Sequence, residues 1–263
     1  MTGLPNLHTS RRGGRVRPRY LSILPIALIL LPTEAWAGRP LLTDDAVNVG
    51  QGVVQLEVGL DHAREDGGDR ETTLTAVFTY GLADTLDLAL QLPFLFLEPA
   101  EEGHQAGIGD IEVHGKYRIV NEGAVSPAFA VTGALKFPTG SERRGLGSGA
   151  TDVGITLVAT KGFGPVTAHL NLGYTVIGAP GQENVLRWGA AAALKVTEPL
   201  SFVGEVIGQT NSDPHAKDDP REVRVGLAYA LRGNIVLDGA VSLGLTRASP
   251  DYVLTVGITA RFE

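Results

Sequence analysis

The chain has 263 residues and a formal net charge of −7, with 22 Lys and Arg against 29 Asp and Glu. An acidic chain without a basic stripe argues against nucleic acid as a partner. Because the sequence contains no cysteine, disulfides and thiolate metal sites are excluded.

The first 37 residues have the three parts of a secretory signal peptide. An arginine-rich region precedes the apolar run 21–31, and Ala35-Trp36-Ala37 forms an A-x-A cleavage site. The apolar run is too short to cross a membrane as a helix. We therefore predict that residues 1–37 are removed during general secretion and that the mature chain begins near Gly38. It then carries 17 basic and 28 acidic residues, a net charge of −11.

Residues 38–50 precede the first predicted strand and contain Thr43-Asp44-Asp45. We assign them to a separate N-terminal segment on the periplasmic side. Two arrangements are open: a short plug inside the barrel that the following segments predict, or a tail that is disordered or lies along the rim. Two adjacent carboxylates are not sufficient for a Ca²⁺ site, so no metal is predicted.

From residue 51 onward, nearly the whole chain alternates between apolar and polar residues. Successive strand side chains point to opposite faces, so each segment is a strand with one apolar face and one small, polar face. Glycine, at 34 residues, also favours strands and turns over helices. The twelve apolar faces begin at Val54, Leu74, Leu86, Ile111, Phe129, Val153, Val166, Leu186, Leu200, Val223, Ile235 and Tyr252. About twelve strands follow, each close to the length that a tilted strand needs to cross a bilayer.

The connections alternate between long and short. The long ones are about 64–71, 98–107, 138–150, 178–184, 211–221 and 246–251, and the short ones about 81–84, 121–126, 162–165, 197–199 and 232–234. This rhythm is typical of an up-and-down outer-membrane barrel. A soluble exported β-sandwich also alternates, but it has no reason for the rhythm and would expose charge-rich faces. We predict an all-β transmembrane antiparallel barrel of about 12 strands over residues 51–263, with both termini periplasmic.

The closing strand, residues 252–262, is two-faced and ends on an aromatic residue. Such a strand resembles the signal by which outer-membrane barrels are recognised by their assembly machinery. Tyr252 and Phe262 are its candidate residues, although Glu263 follows the final aromatic. The predicted location is the outer membrane of a Gram-negative cell, with membrane lipid and lipopolysaccharide as surroundings.

Charged and histidine side chains on the polar faces are predicted to point into the lumen. They are Asp87, Glu112, His114, Lys116, Arg118, Lys136, Asp152, His169, Lys195, Glu205, Arg224, Asp238 and Arg261. Facing one another across the barrel, they could form a polar pathway that selects a solute. The alternative is a set of pairs that neutralise one another, which the nearly balanced signs favour.

The glycine-rich connection 140–149 contains Arg143 and Arg144. It could fold inward and constrict the lumen, with both arginines meeting an anionic solute or a lipopolysaccharide phosphate. The alternative is a flexible surface loop. It is not a phosphate-binding loop, because no Gly-Lys-Ser/Thr ends it and no helix follows.

Catalysis is not expected from this sequence. His114 and His169 are predicted to face the lumen, and Ser201 and Ser242 have no visible base within reach. Nucleophilic catalysis needs both groups within hydrogen-bonding distance. We predict neither a cofactor nor an enzymatic activity.

Several motifs together resemble one family of outer-membrane barrels. In chain order they are Arg39-Pro-Leu-Leu-Thr-Asp-Asp-Ala46, Thr79-Tyr-Gly-Leu-Ala-Asp-Thr-Leu-Asp-Leu88, Gly107-Ile-Gly-Asp-Ile-Glu-Val113, Leu135-Lys-Phe-Pro-Thr-Gly140, Gly145-Leu-Gly-Ser-Gly-Ala-Thr-Asp152, Asn171-Leu-Gly-Tyr174 and Ser249-Pro-Asp-Tyr252. Over residues 39–262 the chain is similar to the transporter-like barrels of the MetA pathway of phenol degradation. The resemblance implies a porin-like protein that passes small aromatic or hydrophobic solutes.

Two other functions stay open at this point. The first is a non-conducting structural or adhesion barrel that acts through acidic loops, whose residues are Glu65, Asp66, Asp69, Glu71, Glu98, Glu101 and Glu102. The second is a lipid-modifying enzyme of the outer membrane. Passive transport of a small solute is the leading expectation, and the solute, the direction of transport and the oligomeric state do not follow from the sequence.

Overall fold

The computed structural model describes residues 38–65, 67–100 and 103–263. The predicted signal peptide lies outside the described residues, as do Asp66, Glu101 and Glu102 of the acidic loops. In the described part of the chain, no helix is both long and apolar enough to cross a bilayer.

The described chain consists almost entirely of β-strands. They are β1 (Val54–Arg64), β2 (Arg70–Ala83), β3 (Leu86–Glu98), β4 (Gln105–Ile108), β5 (Ile111–Val120), β6 (Ala128–Phe137), β7 (Asp152–Phe163), β8 (Val166–Val176), β9 (Val185–Lys195), β10 (Leu200–Gln209), β11 (Arg221–Arg232), β12 (Ile235–Gly244) and β13 (Tyr252–Phe262). A single 3₁₀ turn at Glu142–Arg144 is the one helical element that the described ranges contain.

The strands form one closed antiparallel barrel. Each wall strand pairs with its neighbours in sequence, and β13 returns to β1 with Phe262 opposite Val54. The short β4 pairs with the end of β3, and β5 pairs with the rest of the same strand, so β4 and β5 share one position in the wall. The wall therefore has twelve positions, which confirms the predicted up-and-down barrel of about twelve strands.

The two ends of the barrel differ in the length of their connections. One end, called the long-loop end, carries residues 65–69, 99–104, 138–151, 177–184, 210–220 and 245–251. The other, called the short-turn end, carries residues 84–85, 121–127, 164–165, 196–199 and 233–234. The predicted rhythm is present, but β1 and β2 continue further than expected. Their hairpin loop is therefore shorter than the 121–127 connection at the opposite end.

The outer surface of the barrel is apolar. On β13, Leu254, Val256 and Ile258 are 47%, 58% and 40% exposed, whereas Thr255 and Thr259 on the opposite face are 3% and 6% exposed. The same contrast between exposed large hydrophobic residues and buried polar ones recurs around the wall. Such a continuous apolar surface is unfavourable in water and is the one that lipid requires.

Replacing Val256 with arginine is expected to destabilise the barrel by about 2–4 kcal/mol, because the residue faces outward near the middle of β13. Urea unfolding in lipid vesicles measures the change. Thr75→Arg, on the inner face of β2, is the control and should cost much less. Equal costs for the two variants would contradict the assignment of the faces.

Candidate functional site

Residues 38–50, called here the N-terminal plug, lie inside the lumen. Of the two arrangements left open by the sequence, the structure shows the plug. From the short-turn end the segment follows the inner wall in strand order. Its contacts begin with Val49 N, which donates to Asp87 of β3, and continue with Ala46 N, which donates to Thr160 Oγ1 of β7 at 2.9 Å. They end with Arg39 against β13.

Lys116 of β5 holds the acidic middle of the plug. Its Nζ lies 3.0 Å from Asp44 Oδ1 and 3.6 Å from Asp45 Oδ1. Asp44 also exchanges two hydrogen bonds with Asn171 of β8, at 2.7 and 2.9 Å. Burial raises the pKa of the Asp45 carboxyl above its ordinary value, and the Lys116 ammonium opposes that rise. The Asp pair of the plug is thus bound to the wall as an ion pair.

Glu205 and Arg224 hold the next part of the plug. The Glu205 carboxylate accepts hydrogen bonds from the backbone nitrogens of Leu42 and Thr43, at 2.8 to 3.1 Å. Arg224 lies 3.5 Å from Glu205 and donates to the Pro40 carbonyl at 2.7 Å. Both wall side chains are buried. This pair on neighbouring strands therefore provides the plug backbone with both an acceptor and a donor.

Arg39 occupies a cradle made of glycine. Gly59 of β1 and Gly257 of β13 stand opposite each other, and a Cβ at either would collide with the Arg39 guanidinium. From this cradle Arg39 donates to Thr255 Oγ1 at 2.6 Å and lies 3.7 Å from Asp61 and 3.6 Å from Asp238. The wall is shaped for this one side chain of the plug.

Two small apolar contacts complete the attachment. Ala46 is fully buried against small apolar residues of β6 and β7, and Leu41 is buried against residues of β9 and β10. The partners are Ala128, Ala130 and Val158 for Ala46, and Ala191, Val203 and Ala193 for Leu41. These inward-facing apolar residues would be out of place in a water-filled lumen.

Beside the plug lies a cavity of about 710 Å³, whose lining extends from Gln55 and Arg261 near the short-turn end to Thr175 and Arg221 near the long-loop end. On β8, Asn171 binds the plug, and Gly173 and Thr175 further along the strand line the cavity. Most of the wall residues that line it carry a hydroxyl, amide or charged group, among them Thr75, Thr79, Gln91, Glu112, His114, Thr132, Thr156, Thr175, Gln209 and Glu222, and apolar side chains such as Trp188 and Ile207 lie between them. The plug itself forms part of the surface of this cavity.

The predicted luminal residues fall into three groups. The first group contacts the plug and consists of Asp87, Lys116, Glu205, Arg224, Asp238 and, through Thr160, His169. The second group lines the cavity and consists of Glu112, His114 and Arg261. The third group makes other contacts and consists of Lys136, Asp152, Arg118 and Lys195. Their partners differ from the expected arrangement across the barrel. Lys136 and Asp152, 2.6 Å apart, are directly opposite each other on adjacent strands, and other charges pair with the plug.

Several residues of the site were not among the candidates predicted from the sequence. They are Arg39, Glu57, Asp61, Asp110, Thr160, Asn171 and Glu222.

The 140–149 connection is folded onto the inner face of the β3–β4 hairpin. Leu146 is buried there, and Arg144 donates to Gln105 and to the Ala106 carbonyl, at 2.9 and 2.7 Å. Asp110 holds the two ends of the loop through hydrogen bonds from the backbone nitrogens of Gly140 and Ser148. Arg143 is exposed. Of the two predicted arginines, one is thus used to hold the loop.

Replacing Asp110 with alanine is expected to release this loop, because two backbone N–H groups lose their acceptor. The free energy that holds the loop in place falls by about 1–3 kcal/mol, and tryptic cleavage after Arg143 or Arg144 therefore becomes roughly five- to hundredfold faster. The rate of appearance of the cleaved fragments measures the effect. Ser141→Ala, in the same loop, is the control, since that side chain makes no capping hydrogen bond. Cleavage at the wild-type rate in the Asp110 variant would contradict this role.

The apolar exterior, the twelve-position wall and the charged lumen define an outer-membrane β-barrel protein. The family described as "Putative MetA-pathway of phenol degradation" matches residues 37–262. The chain belongs to that family, which confirms the resemblance seen in the motifs. No curated protein sequence matches the chain significantly.

Solved structures share the fold at low sequence identity. A crystal structure of an outer membrane channel from Pseudomonas putida F1 matches with a TM-score of 0.68 and 16% identity, over 83% of this chain and 98% of that one. The NanC porin matches with 0.54 and 11%, over 79% and 98%. The KdgM porin in complex with disordered oligogalacturonate matches with 0.56 and 9%, over 79% and 99%. At these identities the likeness concerns the fold.

Proposed function

We propose that the protein is an outer-membrane channel for the passive passage of small solutes, with the N-terminal plug as its gate. The observation that carries this proposal is the luminal cavity of about 710 Å³, which is lined in part by a segment of the chain itself. In this arrangement the long-loop end faces the cell exterior and both termini lie on the periplasmic side, as is usual for such barrels.

The attachment of the plug suits a gate. The plug is a single segment without helix or strand that is held by ion pairs and hydrogen bonds at separate wall positions, with two small buried apolar clusters among its described contacts. The closed wall does not depend on it, because strand pairing continues around the barrel from β13 to β1. Displacing the plug would therefore widen the path through the lumen without unfolding the barrel.

The solutes that fit best are small aromatic compounds with a polar group. The cavity volume lies within the range of about 300–1,000 Å³ in which small molecules are bound. Threonine hydroxyls and glutamine amides of the lining can bond a phenolic hydroxyl, and the family description connects the chain with phenol degradation. A fully apolar solute would leave these polar groups without partners.

The described geometry favours a channel over an enzyme. His169 is buried and bonded to Thr160 Oγ1 at 3.0 Å, beneath the plug. Ser242 accepts a hydrogen bond from Arg224 Nε at 2.6 Å. Each group is thus engaged in holding the wall and the plug rather than paired as nucleophile and base.

Flux through reconstituted protein tests the proposal. Purified protein in liposomes should accelerate the passage of phenol-sized aromatic alcohols, and single channels should appear in planar bilayers. A panel of aliphatic alcohols of equal size reports on the preference for the aromatic ring. Folding is verified by the change in migration that heating causes on a detergent gel. The proposal fails if protein folded by this criterion gives neither flux nor conductance. A structural or adhesive role through the acidic loops would then replace it.

A further inference from the structure

Glu57 of β1 is a luminal carboxylate with an incomplete environment. It is half-buried and accepts one hydrogen bond, from Gln55 Nε2 at 2.7 Å. The neighbouring guanidinium of Arg39 forms its ion pairs with Asp61 and Asp238 instead. Within the described ranges, no lysine or arginine forms a salt bridge with Glu57. A carboxylate that is partly removed from water is best stabilised by a cation in direct contact or by several donors. In the described part of the chain, Glu57 has one donor, and its neighbouring cation Arg39 is engaged elsewhere.

The backbone of Gly38 lies beside this carboxylate. A Cβ on Gly38 would stand 2.9 Å from Glu57 Oε1. Because the backbone nitrogen and a Cβ are both bonded to Cα, the Gly38 nitrogen lies within about 5.5 Å of the same oxygen. Gly38 has a φ of +139°, and a side chain there would also press on the carboxylate. Glycine therefore allows the start of the plug to approach Glu57.

The chemistry of that nitrogen depends on the Ala37–Gly38 bond. In the uncleaved chain the nitrogen is a neutral amide with one N–H. Hydrolysis of the bond by a signal peptidase, with one water, leaves a carboxylate on Ala37 and an α-ammonium with three donors on Gly38. The Ala35-Trp36-Ala37 motif predicts cleavage at this bond.

We propose that removal of the signal peptide creates a cation within reach of Glu57, and that the Gly38 ammonium binds Glu57 to fasten the free end of the plug against β1. The new charge also relieves the local excess of carboxylates, since Arg39 is shared between Asp61 and Asp238. Processing and closure of the lumen are thereby coupled: the plug can be fully locked only in the mature chain. This concerns how the plug is fastened and does not depend on whether solutes pass.

The test is the reactivity of the N-terminal amine. Mature protein purified from outer membranes is treated with an acetylating reagent near neutral pH, and modification of its N-terminal peptide is followed by mass spectrometry. A paired ammonium is protonated and resists acetylation, so Glu57→Gln should react roughly tenfold faster or more. Glu112→Gln, which removes another cavity carboxylate, should keep the slow rate of the wild type.

Gly38→Ala provides a second variant, because its methyl group would displace the carboxylate while Glu57 remains ionised. This variant should also react faster than the wild type. It provides the test if Glu57→Gln does not fold, that is, if heating does not change its migration on a detergent gel. Equal rates in the wild type and the variants would overturn the proposal. So would a mature chain whose first residue is not Gly38. Conductance does not enter this measurement, so failure of the channel proposal is recognised separately.

Discussion

Replacing Lys116 with methionine is expected to open the lumen at neutral pH and raise the conductance of the channel. The substitution keeps the length of the side chain but leaves Asp44 and Asp45 without their ammonium. Removing one partner of a buried ion pair costs about 3–5 kcal/mol. Because 37% of the Asp44 side chain is exposed, water screens part of this interaction, and we expect the seated plug to be destabilised by about 3 kcal/mol. The plug should then be displaced roughly a hundredfold more often.

The effect of Lys116→Met should depend on pH. Burial already raises the pKa of the Asp45 carboxyl above its ordinary value of 3.8, and losing the ammonium removes the opposing influence. A carboxyl whose pKa is higher in the seated plug than in the released one stabilises the seated state when it is protonated. The excess conductance should therefore be full at pH 7 and be lost as the pH falls toward that raised pKa.

Single-channel recordings between pH 7 and pH 4 measure both effects. The matched control is Lys116→Met combined with Asp44→Asn and Asp45→Asn, which removes the unpaired charges together with the ammonium. It should return the conductance toward the wild-type level. A Lys116→Met channel that conducts like the wild type at pH 7 would show that the ion pair does not hold the plug.

Replacing Glu205 with alanine is expected to free the centre of the plug. The carboxylate is 3% exposed, accepts hydrogen bonds from the Leu42 and Thr43 nitrogens, and lies beside Arg224. Its loss leaves two amides without an acceptor and a buried guanidinium without its carboxylate, a cost of about 3–5 kcal/mol. The amides of Leu42 and Thr43 should then exchange with solvent faster by a factor of about 10² to 10⁴.

Hydrogen exchange followed by mass spectrometry measures this change. Lys136→Met is the control, because it breaks the pair with Asp152 on the wall without touching the plug. It should leave exchange in residues 38–50 at the wild-type rate. If Glu205→Ala left that exchange unchanged, or if both variants accelerated it equally, the specific role of Glu205 would be contradicted.

The barrel could be predicted from the sequence because it depends on a local rule. A strand between lipid and water must alternate, so the period of two along β13 or β8 identifies both the strand and its faces. Closure of the predicted barrel requires the last strand to pair with the first, and Phe262 does lie opposite Val54. The partners of individual charges could not be predicted in this way. Lys136 meets Asp152 because of the register between β6 and β7, which depends on the geometry of their connection.

The plug could not be chosen over a tail, because residues 38–50 have no periodicity. The part of the sequence that indicates a plug lies instead in the wall strands that contact it. Ala128, Ala130, Val158 and Val203 point inward by parity, and a lumen filled with water offers them nothing to pack against. Small apolar residues on a polar face therefore indicate that a segment of protein is packed inside.

Locking the plug covalently tests the central claim most directly. The chain has no cysteine, and a Cβ at Gly189 would lie 3.5 Å from Thr43 Cβ, within the range of about 3.5–4.5 Å found in disulfides. The variant Thr43→Cys/Gly189→Cys is therefore expected to form a disulfide between the plug and β9. In planar bilayers the oxidised protein should be silent, and adding a reductant should restore conductance in the same membrane. Equal conductance before and after reduction, with the disulfide verified by mass spectrometry, would contradict a channel gated by its N-terminal plug.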